Sequence, residues 1–315
     1  MKKVLSILIA MLLIASLTAC GEDVQKPSDV LTDSTGDAQQ SNTSSTPSNT
    51  IGESMPESTT NNSSQLFPMK VTINETVLVD EAGVKITAKS LNTGLLGTEI
   101  KLLIENNSGQ NLTVQCRNAS VNGYMVDTIM STDVVNEKKA NDSLILMNSS
   151  LNLCNIDTIA DIELSFHIFT SDNWETYLDT DQIQLKTSAA DSYKYEYDDS
   201  GHIAYNKDNI KIIIKGLSKN ESILGSSIVV YIENLSNNDI TVQVRDISIN
   251  GFMISPIFSC DVLSNKHAVD TITFLSSDLE ENGIKEISSV ELSFHIFDPS
   301  TWNTIADSSV VTITF

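Results

Sequence analysis

Three pairs of residues have side chains able to do chemistry, and all three recur at one spacing. Arg117 and Arg245, Trp174 and Trp302, and His167 and His295 each stand 128 positions apart (245 minus 117, 302 minus 174, 295 minus 167). A guanidinium is a planar fork that matches a carboxylate or phosphate, so Arg117 and Arg245 read as anion-recognition residues or as ion pairs within the fold. Glu105 and Glu233 on the preceding strand are the expected partners, and in so acidic a chain the structural role is preferred. Trp174 and Trp302 either stack on a sugar ring or cap the end of a core, the second being the commoner use of tryptophan. The histidines lack any H-x-H or H-E-x-x-H spacing and read as outward-facing sheet residues. Asp179-Thr180-Asp181 and Asp198-Asp199-Ser200-Gly201 resemble fragments of calcium loops. Neither continues to a distal Glu, so turn chemistry accounts for them. No G-x-S-x-G elbow, phosphate-cradling glycine loop or Cys/His couple occurs. The chain is expected not to be an enzyme and to use no cofactor or metal.

The elements that must hold these residues are doubled as well. Glu163-Leu164-Ser165-Phe166-His167-Ile168-Phe169 returns unchanged as Glu291-Leu292-Ser293-Phe294-His295-Ile296-Phe297. Val121-Asn122-Gly123-Tyr124-Met125 returns as Ile249-Asn250-Gly251-Phe252-Met253. A repeat of this length is a whole folding unit. Apolar residues alternate with period two, as in Ile228, Val230, Ile232 and Ile240, Val242, Val244, which marks half-buried strands. Asn-Gly between such runs is a hairpin signal, because a type I′ turn needs positive φ at both central positions. The alternation slips by one residue at Arg117-Asn118 and at Arg245-Asp246, which predicts a β-bulge or a crossing between sheets. Before Gly97 the offset is 126, so an insertion is expected in the loop near residues 92–96 and 219–224. Asp199-Ser200-Gly201 reads as a turn between residues 193–197 and 202–205. Seven or eight short strands in about 120 residues have the rhythm of a β-sandwich. The fold class is all-β, with two tandem immunoglobulin-like β-sandwiches at 67–187 and 192–315.

The chain has 315 residues, with 19 Lys and Arg against 41 Asp and Glu, a net charge of −22. Such a chain repels nucleic acid and anionic headgroups, so no nucleic-acid partner is expected. Met1-Lys2-Lys3 and a short apolar run over residues 4–17 read as a signal peptide, 1–19. Leu17-Thr18-Ala19-Cys20 before Gly21 resembles the lipobox of bacterial lipoproteins. That resemblance implies acylation of Cys20 and anchoring to the extracytoplasmic face of the cell membrane. Residues 20–66 have no aromatic residue, are rich in Ser, Thr, Asn and Pro, and read as a disordered tether. The other cysteines, Cys116, Cys154 and Cys260, align with Val244, Asn282 and Thr132, so the units share no disulfide framework. A Cys116–Cys154 bridge is one reading; a small buried residue at Cys116 is the other.

Several segments together resemble the immunoglobulin-like domains of unknown function in surface lipoproteins of Gram-positive bacteria, clostridia above all. They are Asp208-Asn209-Ile210-Lys211-Ile212, Ile232-Glu233-Asn234, Ile247-Ser248-Ile249-Asn250-Gly251-Phe252, and the doubled Glu291–Phe297 string. The resemblance covers residues 67–315 and implies a surface β-sandwich without assigned catalytic residues. The expected function is a lipid-anchored, non-enzymatic binding or adhesion module for a surface protein or glycan, with Trp174, Trp302, Arg117 and Arg245 as candidate contacts. A structural spacer or accessory subunit of an envelope complex is the alternative. A cell-wall hydrolase is the least favoured reading.

Overall fold

In the first half of the repeat, the strand that opens with Gly97 buries every second residue: Ile100, Leu102 and Ile104 point inward between half-exposed neighbours. The structure, a computed structural model, describes residues 71–218 and 224–315. The signal peptide, Cys20 and the whole of the tether lie outside the described residues. Among those described, the chain is almost wholly β, in antiparallel sheets whose apolar faces stack.

In the first half one sheet runs in the order β1 (Thr76–Glu81), β2 (Val84–Thr93), β3 (Gly97–Asn106), β8 (Lys138–Met147), β6 (Thr128–Ile129). The facing sheet is built on β4 (Leu112–Val121) and β9 (Asp161–Thr170), flanked by β5 (Tyr124–Met125), β7 (Ser131–Val134), β10 (Thr176–Asp179) and β11 (Ile183–Lys186). Ile86, Ile104 and Leu144 from one sheet meet Val114, Leu164 and Phe166 from the other in one buried cluster. Burying such a side chain contributes about 1.5–3 kcal/mol each.

The second half repeats the plan. β12 (His202–Lys207), β13 (Ile210–Leu217), β14 (Gly225–Asn234) and β18 (Lys266–Leu275) form one layer. The other contains β15 (Ile240–Ile249), β16 (Phe252–Met253), β17 (Ser259–Val262), β19 (Ser289–Phe297), β20 (Thr304–Asp307) and β21 (Val311–Thr314). Two one-and-a-half-turn helices, α1 (Asn148–Leu153) and α2 (Ser276–Glu281), close the ends of β8 and β18. Each buries one leucine, Leu151 or Leu279, and is too short to display helical periodicity in the sequence.

The turn signals hold. Asn122 and Gly123 have φ of 52° and 82°, Asn250 and Gly251 of 50° and 86°. They close two-residue hairpins in which Val121 pairs with Tyr124 and Ile249 with Phe252. The slips hold as well. The register of β4 against β9 shifts between Arg117 and Ser120, and that of β15 against β19 between Arg245 and Ser248. Asn118 and Asp246 take the left-handed conformation there, at φ 52° and 51°. One extra residue keeps Ala119 and Val121 facing the same core as Leu112 and Val114. Residues 193–197, expected to lead into a hairpin, form no strand.

An amide clamps each crossing from one sheet to the other. Buried Asn106, at the end of β3, donates through Nδ2 to the carbonyls of Gln110 (2.8 Å) and Val134 (2.7 Å). Its Oδ1 accepts from the Ser108 amide and hydroxyl. Asn234 does the same with Asn238 and Val262, both at 2.9 Å, and with Ser236.

The halves join edge to edge. β18 pairs in parallel with β5 through one rung, the His267 amide donating to the Gly123 carbonyl at 2.9 Å. Tyr197 lies flat on the His267 ring at 3.7 Å between centroids, and its hydroxyl donates to the Asn122 carbonyl. Lys266 Nζ donates to Glu163 Oε1 at 2.5 Å. Ile213 and Tyr231 of the second half complete the first half's core.

Removing the amide in Asn234→Ala strands the buried Val262 carbonyl and frees the partly buried one of Asn238, and is expected to cost about 1–3 kcal/mol, read as a lowered urea midpoint with unchanged m-value. Burial pushes His267 down to about 4, against Glu233, which favours the charged ring, and with Lys266 and Lys211, which oppose it. Tyr231 Oη sits 2.7 Å from its Nδ1, with the Tyr124 and Tyr197 rings packed alongside. The unfolded chain therefore binds the extra proton first. Stability should fall as pH drops from about 6.5 towards about 4, by up to about 3 kcal/mol from this residue. His267→Gln should flatten that part of the curve in denaturant titrations at several pH values.

Candidate functional site

The hairpin from β9 to β10 closes with the Trp174 amide donating to the Thr170 carbonyl at 2.9 Å and the Thr170 amide to that of Glu175 at 2.9 Å. The hairpin from β19 to β20 closes the same way, Trp302 to Asp298 at 2.8 Å and Asp298 to Asn303 at 3.0 Å. The Asp298 carboxylate accepts from the Ser300 hydroxyl and from the amides of Thr301 and Ser300, which holds it below the usual carboxylate range. A loop of this geometry ends on a left-handed residue. That residue is tryptophan in both copies, Trp174 at φ 62° and Trp302 at φ 63°. Gly or Asn takes this conformation at little cost, whereas a bulky side chain there is strained by about 1 kcal/mol or more.

The conformation turns each indole back over its own hairpin. Trp174 stacks on Phe169 with centroids 5.4 Å apart and planes 17° apart; Trp302 stacks on Phe297 at 5.4 Å and 14°. Each phenylalanine in turn lies 5.3 Å from a histidine, His167 or His295. The result is a column of indole, benzene and imidazole on the outer face of the sheet. Phe169 and Phe297, two residues beyond the histidines on that face, are buried by their tryptophan lids. The lids themselves are 68% and 71% exposed. One face of each indole is seated and the other is open.

This corrects the expectation that Trp174 and Trp302 cap a core: they cover the outside of a sheet. The histidines are also not simply outward. Both lie on the outer face, but His295 is buried and His167 nearly so. Each Nδ1 is held by an aspartate from the adjoining strand, His167 by Asp179 and His295 by Asp307 at 2.6 Å. With a phenylalanine over the ring, the pair fixes the base of the column. Among the described residues no serine or cysteine hydrogen-bonds to either imidazole.

The arginines do not meet their expected partners. Arg245 Nη1 lies 3.6 Å from Asp307, the aspartate that also holds His295. Glu233 is engaged by Lys211, and Glu105 by Lys139. Arg117 has no carboxylate within 4.0 Å among the described residues, although Asp179 matches Asp307. It lines a cleft of about 490 Å³ between the halves, with Cys116, Asp127, Cys260 and Asp270. The structure links each tryptophan to its histidine through a phenylalanine, brings Arg245 to the second column, and leaves Arg117 apart.

The Cys116–Cys154 bridge is not formed; Cys116, Cys154 and Cys260 are all free. Burial pushes the thiols up, Cys116 to about 11 and Cys154 to about 12, which suits packing residues rather than nucleophiles. Among the described residues no three His, Cys, Asp or Glu side chains are placed to share a metal ion.

No protein-family model matches the chain, and no curated protein matches it. Among solved structures it is similar to the YadV chaperone, at 11% identity and a TM-score of 0.22, over 68% of this chain and 92% of that one. A likeness of this size supports no functional argument.

If the tryptophans are exposed lids, Trp302→Gly trades a stacking contact of about 0.5–1.5 kcal/mol for relief of backbone strain of similar size. Its melting temperature should then shift by only a few degrees. A core-capping tryptophan would cost about 3–5 kcal/mol on truncation, and a thermal melt separates the two.

Proposed function

We propose that the chain is a non-enzymatic binding module whose contact surfaces are the two tryptophan turns. One observation carries this reading: both copies place a large, exposed aromatic plate at a backbone position where a small residue would fold at lower cost. Strain kept at matching sites in both halves points to use rather than to packing. The columns beneath hold the plates in place, so little freedom is lost when a ligand settles on them. The lipobox-like Cys20 and the tether-like residues 20–66 support display at the outer face of a membrane, with the halves as tandem immunoglobulin-like modules presented to a surface protein or glycan. The histidine–aspartate pairs, capped by phenylalanine, support no hydrolytic role.

The test compares the full chain with the Trp174→Gly/Trp302→Gly double variant on arrays of glycans and cell-wall fragments and in pull-downs of surface proteins. The unaltered chain should bind at least one target well above background, and the double variant should fall to background while melting within a few degrees of it. Equal binding by both proteins, or by neither, removes the reading.

A further inference from the structure

We propose that the ligand is an uncharged polysaccharide, with each tryptophan turn stacking on one pyranose ring and both turns engaging the same polymer; this rests on the binding role given to those turns above. Four observations lead there. Each indole offers one flat, open face, the other being seated on Phe169 or Phe297. The C–H face of a pyranose is a flat apolar surface of matching size, with hydroxyls pointing outward around its edge.

The rims suit those hydroxyls. Asp172, Asn173 and Glu175 surround Trp174, and Ser300, Thr301 and Asn303 surround Trp302, all exposed. Neither turn contains a lysine or arginine, and the chain carries a net charge of −22. A phosphate, sulfate or uronate polymer would find no countercharge in either turn, Arg245 being paired with Asp307 on the strand behind, and would be repelled on approach by the net negative charge. The same carboxylates weigh against a tryptophan anchor in a lipid surface, since burying Trp174 would carry Asp172 and Glu175 to the headgroups.

The plates are also single residues standing on hairpin tips, and neither lines the cleft between the halves. A protein partner gains most of its affinity from anchors sunk in desolvated pockets ringed by other contacts. An isolated open plate gives weak binding to one sugar, and a repeating ligand converts two weak sites into one useful one.

Trp174 and Trp302 are the only two tryptophans, so emission excited beyond the tyrosine absorption band reports on these turns. The probes are dextran, mannan and hydroxyethyl cellulose as uncharged polymers, alginate as an anionic one, and phosphatidylcholine vesicles. In native gels containing the polymers, at least one uncharged polymer should retard the chain and shift its emission to the blue. Alginate and vesicles should do neither. Trp174→Gly and Trp302→Gly should each weaken retardation about a hundredfold through lost avidity, and the double variant should run unretarded. Trp→Phe at both positions keeps a smaller plate and should retain part of the retardation, which separates stacking from damage to the fold.

The proposal is overturned if no uncharged polymer retards the chain, if the double variant is still retarded, or if vesicles but not polymers shift the emission. If a surface protein is bound through the tryptophans while no polymer is, the polysaccharide assignment fails and the binding module stands. If neither polymer nor protein depends on the tryptophans, both fail.

Discussion

Each half of the molecule depends on a buried amide. A sandwich must carry its chain from one sheet to the other, and at that crossing backbone carbonyls leave their ladders while still shielded from water. Asn106 and Asn234 satisfy both sides of the crossing, donating to two carbonyls and accepting an amide and a hydroxyl. An amide is the smallest side chain with two donors and an acceptor set at that angle. Aspartate would present acceptors to acceptors, and leucine would leave all of them stranded. With the crossing fixed, β4 and β15 start in register, and the bulges beside Asn118 and Asp246 can reset the alternation without exposing the core.

From that fixed core the outer face inherits its order. β9 and β19 are buried on their inner side by Phe166 and Phe294, so their outer side is a rigid bench. On it stand histidine, phenylalanine and tryptophan, with aspartate from the next strand bracing the base. The two columns differ in one respect that the repeat makes visible. Arg245 adds a second hold on Asp307, whereas Arg117 leaves Asp179 to the histidine alone and turns to the cleft between the halves. Copies of one module have kept the plate and diverged around it.

How far these features were legible follows from what decides each of them. Asn122-Gly123 and Asn250-Gly251 were readable because few residue pairs accept positive φ twice, so composition fixes conformation. The slips were readable because a shift in a period-two pattern has few causes. The tryptophan turns were not. Nothing in Asp172-Asn173-Trp174 announces a left-handed tryptophan, since the usual residue preferences argue against it. The partners of Arg245 and of the histidines come from β10 and β20, twelve or more positions away, and pairing register alone brings them together. Nothing in the sequence marks His267, which the join covers with Tyr197. Sequence periodicity describes a face, and it is silent on what another element lays over that face.

The join has a mechanical meaning. Inside each half, strands are zipped over long registers, ten residue pairs for β14 against β18. Between the halves there is one backbone rung, one lysine–glutamate pair, a few aromatic contacts and the apolar packing of Ile213 and Tyr231 into the first half's core. A load that drew the halves apart would peel this seam before it sheared any interior ladder. The seam would act as a fuse: the molecule would lengthen under tension by drawing Ile213 and Tyr231 out of the first half's core, while the long strand ladders and both tryptophan columns stayed paired.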